Sequence, residues 1–334
     1  MQFSFLHKRS GYMGVVCAMI LLSACTKTGS SPAVSSQSNS LMQVVYNNFS
    51  LYLYYTALSA TNYNDTLNAP GPFTVVAPSN AAFQSAGFTA GTDVIRATDS
   101  MRVMMPYLIL RQRIALDSVP LAFNQELKAS NGKSLYLTRW INARDTAVVI
   151  NGIRVSTLSK PTANGLLNIS DGLIYPSQFN DVQAGVSGDP NLTLFNAALI
   201  QSGVYSNLRT GGPYTVFAPV NAAFNAIGIM TVDSIYKMDP VRLKTLVLAH
   251  IVNARSFVYD YILKADVNSN TYTETAIDGS TLTVTLLPNA SLPGRFTGIT
   301  LTPATGSTAS LSRSNALANN GVIHSINSLL KTNF

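Results

Sequence analysis

The run GPFTVVAPSNAAF, Gly71 to Phe83, recurs as GPYTVFAPVNAAF, Gly212 to Phe224. A shift of 141 positions lays Leu51–Gly87 on Leu192–Gly228 without a gap, and Leu51/Leu192, Leu53/Leu194, Ala57/Ala198, Leu58/Leu199 and Leu67/Leu208 are also shared. Solenoid repeats recur every 20–50 residues or so. A period of 141 therefore means two tandem domains. The chain has 334 residues, 47% of them hydrophobic, enough for two cores.

Local pattern sketches the repeated unit. Leu51, Tyr54, Tyr55 and Leu58 fall at i, i+3, i+4 and i+7 and predict an amphipathic helix; Leu192, Phe195 and Leu199 repeat the stripe. Gly-Pro then breaks the chain. The apolar, β-branched run Phe73–Ala77 reads as a buried strand, stopped by Pro78 in one copy and Pro219 in the other. Asn80 and Asn221 are expected to cap the next helix, since Val220 replaces the rival cap Ser79 in the second copy. Phe83 and Phe224 then turn into the core. Met101–Leu110 and Pro240–Val252 read as helices; Ser134–Thr138, Ala147–Val155, Ser280–Leu287 and Gly298–Thr302 read as strands. Asn131-Gly132, Asn151-Gly152 and Asp278-Gly279 are hairpin signals. Helices first and strands second within each unit argue for an α+β fold.

The N-terminus reads differently. Lys8 and Arg9 precede the apolar run Gly11–Ala24, which is shorter than the roughly 20 residues of a membrane-spanning helix. A basic segment, a short apolar segment and a small-residue boundary predict a secretory signal peptide over 1–24. The boundary Leu22-Ser23-Ala24-Cys25 resembles the bacterial lipobox, which implies cleavage before Cys25 and a diacylglycerol on its thiol. Cys17 leaves with the signal, so no cysteine remains for a disulfide, a nucleophile or a zinc site. Residues 25–40, rich in Ser with Gly and Pro, read as a tether. The formal charge is +7, but basic residues are scattered and only 11% of residues are charged. That pattern argues against a nucleic-acid partner, which calls for clustered Lys and Arg.

At the ends of the two units stand Asn164-Gly165-Leu-Leu-Asn168-Ile-Ser-Asp171 and Asn320-Gly321-Val-Ile-His324-Ser-Ile-Asn327. A Thr-Val-Phe-Ala-Pro-x-Asn box followed by an Asn-Gly-x-Ile-His box resembles the fasciclin domain, and Leu248-Ala-His250-Ile-Val252 resembles its middle signature. The resemblance covers nearly all of the chain after the leader, as two copies. It implies two tandem fasciclin-like domains, each a wedge-shaped β-sandwich with packed helices, in a protein of adhesion or matrix contact rather than catalysis. Its motif residues, Thr74, Pro78, Asn80, Phe83, Thr215, Pro219, Asn221, Phe224, His250 and His324, are mainly structural in this reading. The first copy departs from it: Leu108 stands for His250, and Asn168 for His324.

His250 and His324 are the two histidines outside the leader. Without a carboxylate cluster or a His-x-x-x-His spacing they read as buried rings bonded to backbone rather than a metal pair or a catalytic base. No Gly-x-Ser-x-Gly, Walker or Gly-x-Gly-x-x-Gly motif opens a helix. The Asp residues, Asp260 among them, are spaced as loop and helix-end residues. In the aromatic cluster from Tyr46 to Tyr63, Tyr54 and Tyr55 belong to the core stripe and Tyr52 is the exposed candidate. Trp140 is either a domain-specific contact or core.

The expected organisation is a lipoprotein signal peptide at 1–24, a tether at 25–40, domain 1 at 41–180, a linker at 181–190 and domain 2 at 191–334. The expected function is non-catalytic adhesion or binding of an envelope or extracellular protein, matrix component or glycan, without cofactor or metal. The lipobox and Thr26 favour a lipid-anchored protein of the outer membrane, on its surface or its periplasmic face. An accessory glycan-binding lipoprotein of a polysaccharide-uptake system is the alternative. A hydrolase using His250 or His324 is the distant one.

Overall fold

A computed structural model describes residues 39–333. The signal peptide, Cys25 and the tether up to residue 38 lie outside them. Ser40, placed in the tether by sequence, is already structural: its hydroxyl accepts from the Gln43 amide and caps the first helix.

Domain 1 begins with α1 (Leu41–Tyr46), α2 (Tyr52–Thr61) and α3 (Asn64–Asn68), then β1 (Phe73–Pro78). After α4 (Asn80–Ser85), α5 (Gly91–Arg96) and α6 (Thr98–Met104) come β2 (Ile109–Leu110), β3 (Ala122–Lys128), β4 (Ser134–Ile141), β5 (Thr146–Ile150), β6 (Ile153–Thr162) and β7 (Gly165–Ser170). The predicted helix Met101–Leu110 thus ends early. Pro106 lacks an amide hydrogen, the chain tightens into a 3-10 turn over Met105–Leu108, and Ile109–Leu110 pair with β1. The seven strands run in the order β2-β1-β7-β6-β5-β4-β3, with β1 and β7 parallel and the rest antiparallel. The two layers of the sandwich share β6. Its first residues pair with β5 and its remainder with β7, across two register shifts at which bulges bend the strand.

Domain 2 repeats the plan with α7 (Val182–Ser187), α8 (Thr193–Gln201), α9 (Asn207–Thr210), β8 (Tyr214–Pro219), α10 (Asn221–Asn225), α11 (Val232–Tyr236), α12 (Pro240–Leu248) and β9 (Ile251–Val252). It adds α13 (Val258–Lys264), then β10 (Thr271–Thr275), β11 (Thr281–Pro288), β12 (Phe296–Pro303), β13 (Ala309–Ala318) and β14 (Gly321–Ile326). The order β10-β11-β12-β13-β14-β8-β9 mirrors domain 1. As with β2, the end of the helix predicted over Pro240–Val252 is a short strand paired with β8. The segment 181–190, expected to be a linker, is α7 and the turn after it. Asp181 caps α7, and Val182 and Val186 are fully buried in the domain 2 core. Shifted by 141 positions, α7 is the copy of α1.

α13 has no counterpart helix in domain 1 and lies across the junction. At its start the Asp260 carboxylate is wholly buried. It accepts from the Phe257 amide at 2.9 Å, and from Asn124 Nδ2 at 3.0 Å and Thr138 Oγ1 at 2.9 Å in domain 1. At its end Asn142 Nδ2 donates to the Leu263 carbonyl, and Arg144 donates to the Ile262, Ala265 and Asp266 carbonyls and to Asn270 Oδ1. The last carbonyls of a helix have no partner within it; here domain 1 supplies a cation, which also suits the negative end of the helix dipole. Between these ends Leu263 and Tyr259 pack on Ala147, Val149, Phe123 and Trp140. Trp140 is thus a contact between domains, and Asp260 is a helix-end residue, but a wholly buried one. Beside them Phe257 sits on Gly152, where an added Cβ would lie 2.8 Å from the Phe257 Cβ. Residues 39–333 accordingly lie within one compact unit.

The junction predicts coupled unfolding. Arg144→Ala should lower stability by about 3 kcal/mol by leaving helix-end carbonyls unpaired, and should split a single thermal transition into two in calorimetry. An unchanged single transition would contradict it.

Candidate functional site

The two motif histidines are the sharpest candidates in the sequence, and both rings are fully buried. His250 follows α12. Its Nδ1 donates to the Leu246 carbonyl at 2.8 Å, and its Nε2 accepts from the Leu330 amide at 2.9 Å. His324 lies on β14 and takes the opposite tautomer. Nε2 donates to the Ser256 carbonyl at 3.0 Å, and Nδ1 accepts from the Asn315 amide at 3.2 Å. Burial pushes both rings down to about 4, so each is neutral near pH 7. The geometry leaves neither ring a free nitrogen for a proton transfer or a metal. Among the described residues no group of three or more His, Cys, Asp or Glu could hold a metal ion.

Domain 1 shows what His324 is for. Asn168 occupies its place; its Oδ1 accepts from the Ser159 amide at 2.8 Å, and its Nδ2 donates to the Val75 carbonyl at 3.1 Å. Ser159 and Asn315 both have positive φ, 50° and 59°, at the bulges of β6 and β13. A bulge amide is lost to the ladder and needs an acceptor. Asn and His each supply one acceptor and one donor. Leu108, where His250 stands in domain 2, is fully buried apolar core.

The other motif residues are internal clamps as well. Thr74 Oγ1 donates to the Gln112 carbonyl and accepts from the Ile114 amide; Thr215 Oγ1 does the same with Ala254 and Ser256. Asn80 and Asn221 do not cap their own helices as expected. Ser79 caps α4, and Val220 precedes α10 with no side-chain cap. Instead Asn80 Oδ1 accepts from the Leu53 amide and its Nδ2 donates to the Phe49 carbonyl. Asn221 repeats this with Leu194 and Pro190, tying the start of α2 or α8 to the end of the central strand. Pro78 and Pro219 close those strands, and Phe83 and Phe224 are fully buried. Asn164 and Asn320, not singled out as site residues, each make three backbone bonds. They accept from Leu41 or Val182 and donate to Leu67 and Ala69, or to Leu208 and Gly211. Their recurrence in the Asn-Gly boxes was the available signal. The glycine after each is needed for space, since an added Cβ would meet the Phe73 or Tyr214 carbonyl oxygen at 2.4 Å.

A surface feature remains. Beside α13 an open cleft of about 1130 Å³ runs between the domains, lined by Arg144, Asp145, Arg154, Tyr259, Arg295 and Phe296 among others. Asp145 holds Arg154 at 3.1 Å, Arg295 at 3.5 Å and the Tyr259 hydroxyl at 3.1 Å. Arg144 lies over the Phe296 ring at 5.0 Å. The cleft offers hydrogen-bonding groups beside aromatic surface, a combination suited to binding a polar ligand.

His324→Asn should keep an acceptor for the Asn315 amide and cost clearly less than His324→Leu, which should cost about 3 kcal/mol by orphaning two buried backbone groups. A pH dependence follows. The unfolded rings protonate as pH falls through about 6.5, whereas the folded rings resist until about 4. Stability is therefore full above the unfolded value and is lost across that window, by roughly 3 kcal/mol for each ring. Urea midpoints between about pH 7.5 and about pH 4.5 should fall steeply, and His324→Asn should remove about half of the histidine contribution. An identical pH slope in that variant would refute the assignment.

A sequence model of the fasciclin domain matches residues 50–176 and 190–332. Transforming growth factor-beta-induced protein ig-h3 of Sus scrofa is 24% identical over 269 residues, covering 79% of this chain and 35% of that protein. Periostin of Homo sapiens is 23% identical over 287 residues, covering 81% of this chain and 30% of its own. The chain thus spans about a third of the length of these relatives. Among solved structures, a FAS1 domain pair from the insect cell adhesion molecule fasciclin I covers 85% of this chain, with 18% identity and a TM-score of 0.40. The two matched regions coincide with the two seven-stranded domains, and the chain belongs to the fasciclin domain family.

Proposed function

We propose that this chain is a non-catalytic binding or adhesion protein of the cell envelope, held by a lipid on Cys25, with the outer membrane as its site. The observation that carries the non-catalytic reading is the commitment of every ring nitrogen of His250 and His324 to a backbone group in the core. The same bonds argue against a hydrolase using either histidine. The junction at α13 supports a binding role in which both domains meet one target in fixed geometry. Each domain then adds affinity without a further ordering cost. No helix among the described residues is long and apolar enough to cross a membrane; the lipobox supports Cys25 as the attachment point. The partner is an extracellular or envelope protein, a matrix component or a glycan.

The cleft beside α13, with Tyr259 and Phe296 next to paired Arg and Asp side chains, favours a second reading. In it the protein is an accessory glycan-binding lipoprotein of a polysaccharide-uptake system. Parallel screening of the immobilised protein on a glycan array and a matrix-protein panel separates the two, and silence on both removes both. Cys25→Ser should move the protein from the membrane to the soluble fraction, and persistence in the membrane fraction would exclude the anchor.

A further inference from the structure

Three of the most exposed aromatic side chains lie within one stretch of seven residues. Tyr46 at the end of α1 is 66% exposed, Phe49 in the following 3-10 turn 95%, and Tyr52 at the start of α2 56%. Tyr46 meets Tyr55 edge-on at 5.2 Å, yet more than half of each of the three residues faces solvent. The same corner of domain 2, shifted by 141 positions, carries Ser187, Pro190 and Thr193, with the same helix, turn and helix. The backbone of this corner therefore forms without aromatic residues. From Asn39 to Asn64 the chain also contains no Asp, Glu, Lys, Arg or His, whereas domain 2 carries Asp181 and Asp189 here.

The corner is also where the chain enters the fold. α1 begins at Leu41, and 13 residues separate Cys25 from Asn39. At no more than about 3.5 Å per residue, Asn39 stays within about 50 Å of whatever holds Cys25, and the corner lies one short helix beyond it. Aromatic side chains gather at the boundary between headgroups and acyl chains. A segment without ions brings no ion-desolvation cost of its own on entering that layer. Tethering raises its effective concentration at the bilayer, so an interaction too weak to recruit the protein by itself is populated.

We propose that Tyr46, Phe49 and Tyr52 dock domain 1 onto the lipid surface that carries the anchor, fixing the orientation in which the domain pair projects. This rests on the lipid-anchor reading of Cys25. The test places Phe49→Trp, at a site exposed enough to leave the core untouched, in the full chain produced with its signal. The acyl group is checked by intact mass, and the protein is reconstituted into phosphatidylethanolamine–phosphatidylglycerol vesicles. Emission is taken as the difference from the unsubstituted protein, which has the single Trp140. The expected result is a blue-shifted difference spectrum, quenched by lipids brominated on their acyl chains and protected from acrylamide. An acylated Phe49→Trp protein whose difference emission is quenched by acrylamide and untouched by the brominated lipids overturns the docking. If the mass shows no acyl group, the anchor reading has failed. The docking, which depends on the tether, then falls with it.

Discussion

Both ends of one short helix in the second domain are completed by the first domain. Asn124 and Thr138 meet the buried Asp260 carboxylate at its start, and Asn142 and Arg144 cover the carbonyls at its end. Burial pushes the Asp260 carboxyl above its ordinary value, while the Phe257 amide, Asn124 and Thr138 bonds offset part of that cost. Such a group is tolerable only while its partners are in place. Separating the domains would expose the apolar contacts of Leu263 and Phe257, take two donors from the Asp260 carboxylate and strip the end of α13 of its carbonyl partners at the same moment. The seam, the inter-domain cleft and the single compact unit all follow from that mutual completion.

Within each domain the same economy holds on a smaller scale. The recurring boxes of the two copies are polar clamps set into apolar strands. Thr74 and Thr215 fasten a loop, Asn80 and Asn221 fasten a helix start, and Asn164 and Asn320 fasten the first helix to the last strand. Each satisfies backbone groups that secondary structure leaves open. The exchange of His324 for Asn168 keeps the acceptor for the bulge amide, turns the donor from the Ser256 carbonyl to that of the central strand and discards the imidazole, which is what a structural role permits.

This explains what could be read beforehand. The repeat, the helix-then-strand order, the central strands and the three hairpin turns were legible because they depend on local pattern. The buried histidines were legible from the lack of any ligand cluster. The role of Asn80 was not, because its partners Leu53 and Phe49 lie 27 and 31 residues away, beyond β1 and two helices, and the nearby Ser79 is an equally good local cap. α7 was hidden by small residues: Gly185 reads as a breaker, yet in the fold it lets α7 lie close against Ile323 and Phe179, 2.3 and 3.1 Å from where a Cβ would stand. α13 was hidden because Val258, Asp260, Tyr261, Ile262 and Leu263 are all buried, between two domains rather than against one. No polar face remains to give a helical period.

The seam has a mechanical meaning. The covalent connection between the domains runs from β7 to Asp181, and the clamp on α13 joins the same two bodies by a second route. A protein held at its N-terminal end and gripped at its far domain carries load through both routes in parallel. The connecting segment is itself pinned, through the bridge of Phe179 with Ala318 and the bond from the Asn319 amide to the Phe179 carbonyl. Load is therefore shared between two separated attachments, which resist a hinge as well as a pull.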